Sequence, residues 1–193
     1  VVCRLPCPGN RSTELGALIM TIENLERALP GLVQYRRDVP EVPDWQVVEN
    51  TLGFRFPSDY KEISESYPLF VLCDDFMSIY RLRPGHELAF VEDVRDNLWI
   101  LQDNYDDGVA EYPPHPQPGG LLPWGASTSG DTYYWAVADG TAAAVITGSR
   151  SDVYWRFDGD ITDYLAAWLS GDVTPDGQPT AAQLGGPDFT ILG

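Results

Sequence analysis

The chain has 193 residues, 44% of them hydrophobic, a length and apolar fraction that suit one domain with its own core. Its net charge of -17 sets it against nucleic-acid backbones and anionic membranes and in favour of a basic partner. No apolar run reaches the roughly 20 residues of a membrane span, and three cysteines, Cys3, Cys7 and Cys73, make no disulfide framework, so a reducing, cytoplasmic setting is expected.

The cysteines also lack His or Cys partners at zinc spacing, and neither a metal nor a cofactor is expected. The charge is uneven. Residues 96–193 carry 14 acids against only Arg150 and Arg156, so the acidic field belongs mainly to the second half.

Residues 1–19 do not read like the rest: their Pro, Gly and Asn break any helix, and Ala17-Leu18-Ile19 is too short for a signal-peptide core. Met20 is expected as the natural start, with the first 19 residues an upstream extension that folds into nothing. Thr21 then reads as an N-cap, and Ile22, Leu25, Leu29 and Val33 fall on one helical face. A second helix is predicted from Trp45 to Leu52, with Asp44 as N-cap, Trp45, Val48 and Leu52 as its buried stripe, and Gly53 just past its end. Pro57-Ser58-Asp59 starts a third, with Tyr60, Ile63, Ser64 and Tyr67 on one face, and Pro68 ends it.

Leu69 to Leu72 and Phe76 to Leu82 read as strands around Cys73-Asp74-Asp75. Residues 87–105 carry the longest helical signal, with Leu88, Val91, Val94, Leu98 and Leu101 at helical spacing and Trp99 expected in the core. Asp103 to Pro118 reads as an acidic, proline-rich loop.

The spine of the chain is Leu121 to Asp139. Leu121-Leu122-Pro123-Trp124-Gly125 reads as the end of a strand, because proline cannot donate to a ladder and glycine relaxes the backbone. Ser127 to Asp131 supplies turn residues, and Thr132 to Val137 reads as a strand rich in aromatic and β-branched residues. Alternation puts Tyr133, Trp135 and Val137 on one face and Thr132 and Tyr134 on the other, which predicts a central strand covered on both sides. Ala143 to Thr147 and Val153 to Phe157 add strands, with Trp155 expected in the core. Ile161 to Leu169 closes as a helix between an Asp160 N-cap and Gly171, with Trp168 on its buried side. Residues 172–193 read as a loose tail, leaving residues 20–171 as one α+β domain with a mostly antiparallel mixed sheet and helices packed around it.

Leu52-Gly53-Phe54-Arg55-Phe56-Pro57-Ser58-Asp59-Tyr60-Lys61 resembles the helix–turn–helix signature of the SUKH superfamily, in its Smi/Knr cell-wall-assembly-regulator branch. Asp74-Asp75-Phe76, Leu121 to Gly125, Gly130-Asp131 before an aromatic strand, and Phe157 to Leu165 match that family in order. The resemblance spans residues 40–171 and departs at Ser66-Tyr67-Pro68, where the family often carries an Asn-Gly-type turn. It implies a single α+β domain in which Trp45, Gly53, Pro57, Tyr60, Gly125, Gly130 and Trp135 are structural. In bacteria it implies a non-enzymatic immunity protein that binds and blocks a cognate toxin, often a nuclease or deaminase domain. In fungi it implies a regulatory scaffold, which is the alternative reading.

Chemistry is thin in the sequence. His115 with Ser127 or Ser129 would supply a base and a nucleophile, but no strand–turn–helix elbow surrounds either serine. Asp158 with Asp160, or Asp106 with Asp107, would pair as carboxylates, though such acids more often cap helices or face solvent. Two partner surfaces remain. Asp103, Asp106, Asp107 and Glu111 lie together with no Lys or Arg between them, and prolines at 113, 114, 116 and 118 are expected to stiffen the loop and keep it extended. This is either a solvated loop or the contact for a basic toxin domain. Gly130-Asp131 is either a turn, with the Asp131 carboxylate accepting backbone N–H groups, or a partner contact, with Trp124 half-exposed beside it as an anchor.

Overall fold

The computed structural model describes residues 22–192, so the Met20 start, the 1–19 extension and the Thr21 cap lie outside the described residues. Helices α1 (Glu23–Ala28), α2 (Trp45–Leu52) and α3 (Ser58–Ser66) precede strands β1 (Phe70–Leu72) and β2 (Met77–Ile79) and the long helix α4 (Glu87–Asp106). Strands β3 (Leu121–Ser127), β4 (Thr132–Ala138), β5 (Thr141–Gly148) and β6 (Tyr154–Phe157) follow, then α5 (Ile161–Ser170) and a last strand, β7 (Phe189–Ile191). The fold is α+β, with one seven-stranded sheet in the order β6-β5-β4-β3-β2-β1-β7. Every ladder in it is antiparallel, so the expected mixing reduces to two isolated parallel bridges, Arg55 with Thr141 and Pro114 with Leu121.

The helix ends follow their capping residues. The Asp44 carboxylate accepts from the Val47 N–H at 3.2 Å, and Gly53 closes α2 at φ 65°, a conformation that an L side chain adopts at a cost. Pro57 stands at the N-cap of α3 and Asp160 caps α5, accepting from the Asp163 N–H at 2.9 Å. At the Ser66-Tyr67-Pro68 departure the backbone of Tyr67 is extended, and its side chain is buried.

The β3–β4 hairpin lies near the middle of the sheet and is covered on both sides. Tyr133, Trp135 and Val137 belong to the main core with residues of α1, α2, α3 and α5. Tyr134 points the other way, into a smaller cluster with Leu121, Ile146 and Leu101 of α4. Strand β3 does not end at Gly125 but runs on to Ser127. A bulge falls between Pro123 and Gly125, and β2 pairs only from Gly125 onward, so the proline sits where a sheet tolerates one. A Cβ on Gly125 would stand 2.6 Å from the Ser78 carbonyl oxygen, which leaves that position to glycine.

The core is aromatic. Trp135 packs against Tyr60 at 5.0 Å, Phe54 at 5.3 Å and Phe56 at 5.6 Å between ring centres. Trp45 closes the group against Phe56, and the Tyr60 hydroxyl donates to the Tyr80 carbonyl at 2.6 Å.

Four expectations are corrected. Val33 is exposed, because the chain breaks after α1 and re-enters a 3₁₀ turn at Leu32–Tyr35 that buries Leu32 instead. Trp155 is half-buried, since β6 is an edge strand. Leu88 and Trp99 stand out from α4 rather than in the core. The segment after residue 171 is not a loose tail. The Trp168 indole N–H donates to the Pro179 carbonyl at 3.1 Å, Thr180 builds a capping box over Ala181–Leu184, and β7 pairs with β1 as an edge strand.

Candidate protein-docking face

Helix α4 is 20 residues long, so it spans about 30 Å. Phe90, Val91, Val94 and Leu101 face inward and are buried. On the outward side Trp99 is 69% and Ile100 53% exposed. Helical neighbours stand three and four residues apart, so Asp96 precedes and Asp103 follows both apolar side chains. The result is a large aromatic and a branched aliphatic residue held in water between carboxylates.

The helix does not stop where the acids begin. Asp103 and Asp106 lie in its last turns and Asp107 is its C-cap, so the acidic segment is helix rather than loop, and only Glu111 stands in the connection that follows. No glycine or proline interrupts the chain until Gly108, and the Gln102 side-chain amide donates to Asp106 Oδ1 at 2.8 Å across one turn. The proline-rich part is not an extended arm. The His115 N–H donates to the Leu121 carbonyl at 3.0 Å and the Leu121 N–H to the Pro113 carbonyl at 2.9 Å, folding the segment against β3. The Gln117 amide reaches back to Gln102 at 2.7 Å and ties the connection to α4.

The last turn of α4 therefore holds three exposed aspartates and no basic residue, at the helix end where the backbone dipole favours cations. That arrangement costs stability. It leaves a negative field at the C-terminal end of α4, one turn beyond Trp99 and Ile100.

The other predicted partner residues are elsewhere and closed off. Trp124 is 1% exposed, with its ring against Tyr133 at 5.2 Å and Tyr164 at 6.0 Å, because the bulge turns it into the main core. Asp131 is 3% exposed. Its carboxylate accepts from the Ser127 hydroxyl at 2.6 Å and from the Arg150 N–H at 3.1 Å, and its own N–H donates to Ser127 Oγ at 3.1 Å. With Gly130 at φ 92°, the turn reading holds and the contact reading of Asp131 and Trp124 falls.

The candidate catalytic groups do not converge. His115 is buried, with Nε2 2.7 Å from the Leu52 carbonyl, at the start of β3. Ser127 ends that strand, roughly 20 Å away by strand rise, with its hydroxyl held by Asp131. Asp158 pairs with Arg156 at 2.7 Å, and Asp160 is a helix cap. A carboxyl that sequence reasoning missed is Asp59, 1% exposed and pushed up to about 6 by burial and then by the charge of Asp160. Such a shift marks many catalytic acids, but the Asp59 carboxylate is spent on the backbone of α5, and the small cavity beside Asp160 is lined by other residues. Among the described residues no three His, Cys, Asp or Glu side chains gather as a metal site, and no helix is long and apolar enough to cross a membrane.

Comparison of the chain with family models, with curated proteins and with solved structures returns no match.

Proposed function

We propose that this chain is a non-enzymatic immunity protein of the SUKH type, which binds a basic toxin domain in the cytoplasm and blocks it by covering its surface. The observation that carries the reading is Trp99, 69% exposed on a helix where Asp96 and Asp103 flank it on its own face beside Arg95 and Gln102. Tryptophan is among the residues that dominate interface energies, and a free one in the solvent of a folded chain is an anchor without its pocket. The acids around it draw a cationic surface in and orient it before contact. The sequence resemblance supplies the class of partner, and the regulatory-scaffold alternative shares the same face with a different one.

The test is capture on the immobilised chain, followed by identification of the bound protein. The expected partner is a basic toxin domain whose activity falls on binding and whose affinity drops when Trp99 is replaced by Ala. A captured partner that binds Trp99→Ala as tightly as the wild type removes α4 from the reading. A bound toxin that stays fully active removes the immunity function.

A further inference from the structure

Helix α4 carries a second large apolar side chain in water, Leu88, as exposed as Trp99. Leu88, Glu92, Arg95 and Trp99 follow one another at steps of four, three and four residues, so they form one stripe along the outward side of the helix. All four are exposed, and neither Glu92 nor Arg95 is in an ion pair among the described residues. The stripe is apolar at each end and holds one charge of each sign in its middle.

We infer that this stripe pairs with the same stripe of a second copy of the chain, the two α4 helices running antiparallel about a two-fold axis. Such a contact needs a surface that complements itself: where one residue meets another on the other copy, the reverse contact is made as well. The pairs Leu88 with Trp99 and Glu92 with Arg95 share one midpoint, between Asp93 and Val94. An axis through that midpoint, perpendicular to α4, sets Leu88 of each copy against Trp99 of the other and Glu92 of each copy against Arg95 of the other. Steps of four and three are also the seam spacing of a coiled coil, which keeps all four residues at the contact as the helices pass. The charges select the direction. Parallel helices in register would set Glu92 against Glu92 and Arg95 against Arg95, whereas antiparallel ones oppose unlike charges at both places.

The helix ends match in the same arrangement. The last turn of α4 is acidic where the backbone dipole is already negative, and Arg83, just before the first turn, is exposed and in no ion pair among the described residues. Antiparallel packing brings the Arg83 end of one copy toward the Asp103 turn of the other, which supplies the cation that this terminus lacks. The stripe from Leu88 to Trp99 is only about 16 Å long, so the contact is small and the dimer reversible. A paired chain has no free Trp99, so a second copy and a toxin would compete for one face. That competition rests on the docking reading of Trp99; the pairing itself does not.

The test is sedimentation equilibrium of the whole chain, reduced and without a partner, from about 5 to about 500 µM. The expected result is a monomer at the lowest concentration and a dimer at the highest. Trp99→Ala, Glu92→Arg and Arg95→Glu should each weaken pairing at least about tenfold. The double exchange Glu92→Arg/Arg95→Glu recreates both ion pairs with the signs reversed and should pair within about threefold of the wild type. An equimolar mixture of the two single charge variants should form a mixed dimer, because every opposed pair then differs in sign. All these positions are exposed, and an unchanged circular dichroism spectrum verifies the fold of each variant. The inference is overturned by a chain that stays monomeric at the highest concentration, by a dimer that Trp99→Ala or either single charge variant leaves intact, or by a double exchange or a mixture that fails to pair. Because no partner is present, such a failure removes the self-pairing alone, whereas failure of the docking reading shows only in binding of the captured partner to Trp99→Ala.

Discussion

The Asp59 carboxylate caps a helix to which it does not belong, accepting from the Ile161 N–H at 2.9 Å. The same oxygen accepts from the Thr162 N–H at 3.2 Å, so α3 is fastened to the first turn of α5 across 102 residues of chain. The bond answers two orphan donors that a local cap such as Asp160 leaves over.

The burial of this carboxyl makes the fold sensitive to pH, against the pull of its backbone hydrogen bonds. Burial, then the Asp160 charge, raise the Asp59 carboxyl from 3.8 to about 6. A raised value means that the folded chain holds the proton more tightly than the unfolded one. The contribution of this group is therefore fully present below about pH 4 and is lost as pH rises through about 6, a swing of up to about 3 kcal/mol. Asp59→Asn keeps an oxygen for both N–H groups without a charge, so its urea midpoint should fall less between pH 5 and pH 7.5 than that of the wild type. Asp59→Ala removes the cap and the titrating group together, so it should cost more at pH 5 than at pH 7.5.

Trp135 is 1% exposed and packs with four aromatic rings, Phe54, Phe56, Tyr60 and Trp124, so Trp135→Ala should destabilise the chain by about 3–5 kcal/mol in denaturant unfolding. A loss under about 1 kcal/mol would mean that the ring is not in the core.

Trp99 predicts the opposite pattern. Trp99→Ala should change unfolding free energy by no more than about 0.5 kcal/mol, because the ring is mostly in water. Titration calorimetry with the captured partner should show a loss of about 2 kcal/mol or more.

The acids next to it should act on encounter. Replacing Asp103, Asp106 and Asp107 with Asn and Glu111 with Gln should slow association and flatten its dependence on salt, with a smaller change in dissociation. Equal association rates for both chains at low and high salt would leave the field of α4 without a role. The same variant should be slightly more stable alone, since it relieves like charge at a helix C-terminus.

Strand β7 should guard Cys73. The Cys73 N–H donates to the Asp188 carbonyl at 3.0 Å, the thiol is buried, and burial pushes it up. Deleting residues 187–193 in a background with Cys3 and Cys7 changed to Ser should speed reaction of Cys73 with a disulfide reagent by at least tenfold. It should also open the β1 edge to aggregation.

Local chemistry decided much of this fold in advance. Asp44, Gly53, Asp160 and Gly171 mark helix ends because caps act within one turn, and the alternation of Tyr133, Tyr134 and Trp135 is a property of any strand. Strand β7 is not legible in the sequence because three strand residues, within five between Gly186-Pro187 and Gly193, carry too little pattern, and only the free edge of β1 makes them a strand. Trp99 shows the limit most directly. A helix's sequence lists apolar residues on two faces, and which face is inside depends on what packs there. Here β3, β4 and β5 claim Leu101, while among the described residues nothing comes to cover Trp99. The sequence by itself determined the elements, their caps and the negative field of the second half. Burial is a property of pairs of surfaces brought together from distant parts of the chain, so only the tertiary structure decided that Trp124 and Asp131 are inside and that Trp99 stands in water.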